Sequence, residues 1–260
     1  MGIALITGAS SGIGREFARQ LKAGGEVDGF WLVARSKGKL EELAEELGEG
    51  CRVICADLGK DEGVDALLAL LEEEKPQVQY LVNGAGYGVF GGYDELSDDV
   101  IVGMIDLNVK ALVRITHGVA PYMGPGSHII EMGSGSCFTP LPYFNVYAAG
   151  KSFVLHYSKA LKYEMKPKGI TVTCFCPGWV DTGFLGVATN EGDVTAPKAS
   201  SYKPLLKVEP VVRGGLRAAR RGRVMYVTNW YTKMQHMLFK LVPDGILTRI
   251  WMKRLTKGGK

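Results

Sequence analysis

A chain of 260 residues, 46% hydrophobic and 22% charged, suits one α/β domain and leaves little for a second. No run of about 18 apolar residues occurs, which argues against a transmembrane helix, and no basic leader precedes the first apolar stretch, which argues against a signal peptide. The net charge of +4 is unevenly spread: from residue 229 onward seven Lys/Arg oppose one acid, Asp244, so the rest is slightly acidic and a general nucleic-acid-binding surface is not expected.

The five cysteines are odd in number and never spaced C-x-x-C, and the four histidines are scattered. Reduced thiols, no metal site and a cytoplasmic location are expected. Met1-Gly2 lacks the Ser or Thr at position 6 that myristoylation requires, since that residue is Ile6.

In chain order, residues 2–6 read as a buried strand. The turn Thr7-Gly8-Ala9-Ser10-Ser11-Gly12-Ile13-Gly14 follows, then a helix marked by Ile13, Phe17, Ala18 and Leu21. Residues 30–34, 52–56 and 78–82 read as further strands, separated by helices carrying Leu40, Leu43 and Leu47, then Val64, Leu67 and Leu71. Two helices are expected at 97–108 and 109–123, a strand at 127–132, a helix from Tyr147 to Lys166, and a strand at 169–176. A helix near 209–220 and a strand near 223–228 complete the pattern. Strands alternating with helices imply one doubly wound α/β (Rossmann) domain, a seven-stranded parallel sheet with helices on both faces.

Residues 1–228 carry the dinucleotide-binding and catalytic part, and 229–260 form a basic, amphipathic helical extension of the same domain. The stretch 184–210, rich in Gly, Pro and Ser, reads as a lid.

A strand, a glycine turn and a helix form a dinucleotide cradle, in which unpaired N–H groups of the helix start meet the pyrophosphate. The small residues Gly8, Ser10, Ser11, Gly12 and Gly14 let the backbone approach it, with Ile13 among them in the same cofactor-binding turn. Where an acidic residue after the second strand would accept the ribose hydroxyls of NAD, this chain has Ala34-Arg35. Arg35 suits a 2′-phosphate, so NADP(H) is expected over NAD(H). Tyr147 and Lys151 lie four apart, one turn apart on one helix face, and the ammonium would favour the phenolate.

The turn T-G-x-x-x-G-x-G and the pair Tyr147/Lys151, introduced by Ser134, resemble the motifs of the short-chain dehydrogenase/reductase family, in its shorter single-domain branch. The resemblance covers about residues 2–228. It implies a catalytic set of Asn108, Ser134, Tyr147 and Lys151, with Tyr147 exchanging the proton and Ser134 holding the substrate oxygen. Ser136 is a less well-spaced rival of Ser134. The resemblance further implies that Asp57 and Leu58 meet the adenine. Asn83, Ala85 and Gly86 would flank the ribose, in a segment reading N-G-A-G where the family reads N-N-A-G. Pro177, Gly178, Val180 and Thr182 would hold the carboxamide, and Lys151 the nicotinamide ribose beside Tyr147. The family commonly forms dimers or tetramers.

For substrate, Ser134, Phe138, Tyr147, Trp179 and Phe184 are the named candidates, with Tyr87, Phe90, Cys137, Leu141 and Tyr143 nearby. The set is apolar and lacks Arg or Lys, favouring a bulky steroid- or lipid-like ketone or alcohol, as in hydroxysteroid dehydrogenases and carbonyl reductases. A 3-oxoacyl reductase of lipid synthesis and a non-catalytic NADP(H)-sensing protein are the alternatives. In the tail, Trp230, Met234, Met237, Leu238 and Leu241 repeat at helical spacing, then Ile246, Ile250 and Trp251 follow the break at Pro243-Asp244-Gly245. The ordinary reading is that these faces cover the substrate entrance or a second subunit; peripheral contact with an anionic membrane is the less favoured one.

Overall fold

A computed structural model of the chain describes residues 2–189, 205–228 and 230–257. Its strands are β1 (Ile3–Thr7), β2 (Gly29–Ala34), β3 (Cys51–Cys55), β4 (Val78–Asn83), β5 (His128–Met132), β6 (Thr171–Cys176) and β7 (Met225–Val227). They form one sheet in the order β3-β2-β1-β4-β5-β6-β7, and every pairing is parallel. The helices are α1 (Gly12–Gly24), α2 (Lys37–Leu47), α3 (Asp61–Glu74), α4 (Asp98–Ile105), α5 (Leu112–Val119), α6 (Asn145–Met165), α7 (Phe184–Ala188), α8 (Val208–Arg220), α9 (Trp230–Leu241) and α10 (Asp244–Lys257).

Both sheet faces are covered, which is why the strands read as unbroken apolar runs. Along β1, Ala4 and Ile6 join Phe17 and Leu21 of α1, Leu40 and Leu43 of α2, and Val212 and Leu216 of α8. The intervening Leu5 points the other way, into a core with Leu67 and Leu71 of α3, Ile115 of α5 and Leu161 of α6. The strand order reverses between β1 and β4, so the connections leaving their carboxyl ends part to opposite faces and open a crevice.

Two expectations change. The helices foreseen at 97–108 and 109–123 are one continuous rod: α4 passes through a π turn at Asp106–Ala111 into α5, followed by a 3₁₀ turn at Ala120–Tyr122. No Pro or Gly lies within the π turn Asp106–Ala111 itself. Widening the turn moves one carbonyl out of the regular ladder, and the Asn108 side chain meets it, its Nδ2 donating to Met104 O at 2.8 Å. Within the foreseen lid, 184–188 form α7, and Leu206 pairs backbone groups with the Trp179–Asp181 segment. Residues 190–204 of the lid lie outside the described residues.

Phe175 of β6 is fully buried between Phe17 and Tyr226. Phe175→Ala should lower unfolding free energy by about 3–5 kcal/mol in urea titration, because the cavity left between the sheet and its covering helices collapses only partly.

Candidate active site

The crevice is a cavity of about 1210 Å³ running from the first glycine turn to the inner faces of α7, α9 and α10. At one end the turn after β1 doubles back tightly. Gly8 has φ +68°, and a side-chain carbon on Gly14 would stand 2.4 Å from Gly8 O. Only glycine allows that approach, and it leaves Ser10, Ser11, Gly12 and Ile13 on the wall beside the start of α1. No acidic side chain lies in the first turn of α1, so its unpaired N–H groups and partial positive charge stand open to an anion. Arg35 lines the same end, together with Asp57 and Leu58 after β3. Ala85 and Gly86 after β4 continue the wall, and Pro177, Gly178, Val180 and Thr182 after β6 close it.

In the middle stand Ser134, Tyr147 and Lys151. The Lys151 ammonium is buried, donates to Met132 O at 2.8 Å, and lies 5.5 Å from the centroid of the Tyr147 ring. Burial draws its pKa down to about 8. Burial raises the Tyr147 phenol well above the usual range, opposed by hydrogen bonding from Ser134. Ser134 Oγ accepts the Ser136 N–H at 3.2 Å, which leaves the Ser134 hydroxyl proton available to the cavity. Ser136 also reaches the wall.

Asn108 stands behind the wall. Its Nδ2 donates to Tyr87 O at 2.7 Å as well as to Met104 O, and its buried Oδ1 has no hydrogen-bond partner among the described residues. That oxygen and Lys151 Nζ flank one glycine: a carbon built on Gly86 would stand 2.5 Å from the first and 3.4 Å from the second. Asn83 is a correction. It is buried away from the cavity, its Nδ2 donating to Thr116 Oγ1 at 2.8 Å and to Glu131 Oε2 at 3.1 Å. A side-chain contact to the cofactor ribose is therefore not available to it.

The far end is aromatic. Phe138, Trp179 and Phe184 line it, as do Leu141 and Tyr87. Phe184 lies 5.5 Å from the Tyr147 ring. Three neighbours named from sequence do not reach the wall: Phe90 stacks behind Phe144 at 3.9 Å, Cys137 packs against Cys176, and Tyr143 turns away at φ +62°.

The family model for short chain dehydrogenases matches residues 2–192. The chain belongs to the short-chain dehydrogenase/reductase family. Its members are oxidoreductases acting on alcohol and carbonyl groups, and this chain is one. It is 36% identical over 209 residues to sulfoacetaldehyde reductase 2 of Chromohalobacter salexigens, spanning 76% of this chain and 79% of that one. It is 34% identical to the very-long-chain 3-oxoacyl-CoA reductase of Anas platyrhynchos, spanning 75% of this chain and 65% of that one. A short-chain dehydrogenase from Sphingobium yanoikuyae in complex with NADPH superposes with a TM-score of 0.79 at 29% identity, covering 95% of this chain and 96% of that one.

Several residues of this dehydrogenase escaped the sequence reading. Lys39 and Lys60 join Arg35 at the glycine-turn end. Phe144 lines the cavity and stacks against Tyr147 at 4.4 Å. Gly88 lies so close to that ring that a side-chain carbon there would stand 2.5 Å from Tyr147 Cδ2. From the tail come Thr232, Phe239, Trp251 and Leu255, with Trp251 Nε1 donating to Pro142 O at 2.9 Å. The tail stripe foreseen as the packing face, Trp230, Met234, Met237 and Leu241, instead faces outward.

Glu131 is the least expected. It is fully buried on β5, adjacent to the residue whose carbonyl holds Lys151. Its carboxyl meets Thr116 Oγ1 at 2.7 Å and Asn83 Nδ2 at 3.1 Å. Burial pushes its pKa up to about 7, against the pull of those two groups and of Lys151. The available signal was one acid inside the apolar strand His128-Ile129-Ile130-Glu131-Met132.

A carboxyl whose folded pKa is raised from 4.5 to about 7 favours the folded state fully below pH 4.5. It loses that contribution as pH rises to 7. Glu131→Gln should flatten this slope: denaturant titrations at pH 4.5 and 7.5 should differ by about 3 kcal/mol less in the variant than in the parent.

Proposed function

We propose that this protein interconverts a carbonyl and a secondary alcohol on a bulky apolar substrate, with NADP(H) as the hydride partner. The observation that carries the reading is one cavity holding three things in sequence: a glycine turn with Arg35, a buried Tyr147/Lys151/Ser134 cluster, and an aromatic end. The turn residues from Gly8 to Gly14 would hold the pyrophosphate. Arg35, Lys39 and Lys60 supply the cations a 2′-phosphate needs, where NAD recognition would call for a carboxylate. Asp57 follows β3 rather than β2, and its Oδ1 accepts the Gly59 N–H at 3.1 Å.

When bound, the nicotinamide supplies or accepts the hydride. The chain's own part is binding, orientation and proton transfer. Ser134 Oγ–H donates to the substrate oxygen, and the Tyr147 hydroxyl delivers a proton to that oxygen in reduction or takes it in oxidation. Burial alone makes the phenol a reluctant acid, so the Lys151 ammonium one turn on must stabilise the phenolate. Met132 O fixes that ammonium, and Asn108 Oδ1 and Lys151 Nζ lie 2.5 and 3.4 Å from the point a side-chain carbon on Gly86 would occupy, placed for a water to bridge them. Phe138, Phe144, Trp179, Phe184, Phe239 and Trp251 exclude water around the reacting carbon.

The substrate end offers aromatic and aliphatic carbon, which suits a steroid- or lipid-like carbonyl better than a small anionic aldehyde. A 3-oxoacyl reductase is the second reading, favoured by the likeness to the very-long-chain 3-oxoacyl-CoA reductase. Val102 and Ile105 of α4 and Phe153 and Tyr163 of α6 are exposed, a face suited to a second copy in a homodimer or homotetramer.

Tyr147→Phe retains the ring and removes the proton. Reduction of a bulky ketone by NADPH, followed by absorbance, should fall by about 10²–10⁴-fold, and full turnover in that variant would refute the assignment. Arg35→Ala should raise KM for NADPH by roughly 10–100-fold and leave KM for NADH near its parent value, as expected for loss of a charge-assisted contact. Equal effects on both would remove Arg35 from the phosphate.

A further inference from the structure

The two tail helices are apolar on both sides. On α9, Thr232 and Phe239 line the cavity, and His236 lies against the Phe138 ring at 3.9 Å. On α10, Leu247 is buried, and Trp251 and Leu255 line the cavity. Covering the substrate end accounts for all of these. It does not account for Trp230, Met234, Met237 and Leu241, which succeed one another at intervals of four, three and four along the opposite side of α9. Three of them are among the most exposed large side chains described: Trp230 73%, Met237 65% and Leu241 82%. On α10, Ile246 and Ile250 are likewise exposed, one turn apart. Lys233, Arg249 and Lys253 are exposed on the same two helices, and Asp244 is the one acid from residue 229 onward.

We propose that this outer face of α9 and α10 docks on an anionic lipid surface. Apolar side chains with a Trp at one end, bordered by cations, match a bilayer interface, where the rings and thioethers enter the headgroup boundary and the cations meet lipid phosphates. A second copy of the chain fits less well. A two-fold interface through this face would bring the cations Lys233, Arg249 and Lys253 of both copies into one contact. A less charged apolar face on α4 and α6 is available for that purpose. The docking deepens the reading of a lipid-like substrate and rests on that reading only for its purpose. The helices that meet the lipid also wall the cavity with Phe239, Trp251 and Leu255, so a carbonyl dissolved in the bilayer lies one helix thickness from the site.

The full-length protein is to be co-sedimented with vesicles of mixed phosphatidylcholine and phosphatidylglycerol, and separately with phosphatidylcholine alone. Binding to the mixed vesicles at least about tenfold tighter, and weakened by added salt, is expected. The double variant Met237→Glu/Leu241→Glu changes two exposed positions that do not line the cavity. It should lose vesicle binding by at least about tenfold while keeping its melting temperature and its turnover of a water-soluble ketone. Parent protein that stays in the supernatant with both vesicles overturns the proposal. So does a variant that binds as the parent does, or one that only converts an oligomer to monomer by light scattering. Vesicle binding is read without substrate, so a protein that sediments but reduces no ketone defeats the functional reading and leaves the docking standing.

Discussion

The site depends on one buried hydrogen bond, from Lys151 Nζ to Met132 O. An ammonium in that position is largely withdrawn from solvent, and the one protein carbonyl it meets compensates poorly; burial accordingly lowers the pKa of Lys151. What keeps the arrangement useful is its surroundings. The Tyr147 ring lies beside the ammonium, Glu131 adds a negative charge from the core side where it is ionised above about pH 7, and the glycine-turn end opens toward a cofactor. α6 is long enough to hold Tyr147 and Lys151 at the cavity and still pack Leu161 into the core, so the pair cannot shift without moving the sheet.

Behind that pair lies a second polar layer. Asn83, Thr116 and Glu131 hydrogen-bond to one another inside an otherwise apolar core, and Asn108 bridges the π turn to Tyr87 O. These groups tie the ends of β4 and β5 to α5 just beneath Tyr147 and Lys151. In a low-dielectric interior such contacts are strong when satisfied and costly when broken, so they hold the strand ends in register where the chemistry needs it. The π turn belongs to the same device. A regular helix would place Asn108 elsewhere relative to Gly86 and Lys151.

The cavity has a polar end built from backbone and cations, and an apolar end built from side chains contributed by five separate segments. The polar end is rigid because glycine packing sets it. The apolar end depends on how α7, α9 and α10 sit, which is where members of one family can differ in substrate while sharing chemistry. No helix among the described residues is long and apolar enough to cross a membrane.

Seven strands, their order along the chain, the glycine turn and the Tyr147/Lys151 pair were all legible from residue order, because each rests on local periodicity or on spacing within one turn of helix. Element ends were legible to within two residues or so: 169–176 became Thr171–Cys176 because Gly169 turns the chain at φ +70°. Tertiary structure alone decided the rest. Asn83 faces inward because its partners, Thr116 and Glu131, lie 33 and 48 residues away and share no local pattern with it. The helix spacing of α9 marked one apolar stripe, Trp230, Met234, Met237 and Leu241, yet the opposite side, with Thr232 and Phe239, turns inward. That choice fell to the Trp251–Pro142 bond and the Phe138–His236 contact, interactions between segments about a hundred residues apart that no window of sequence contains.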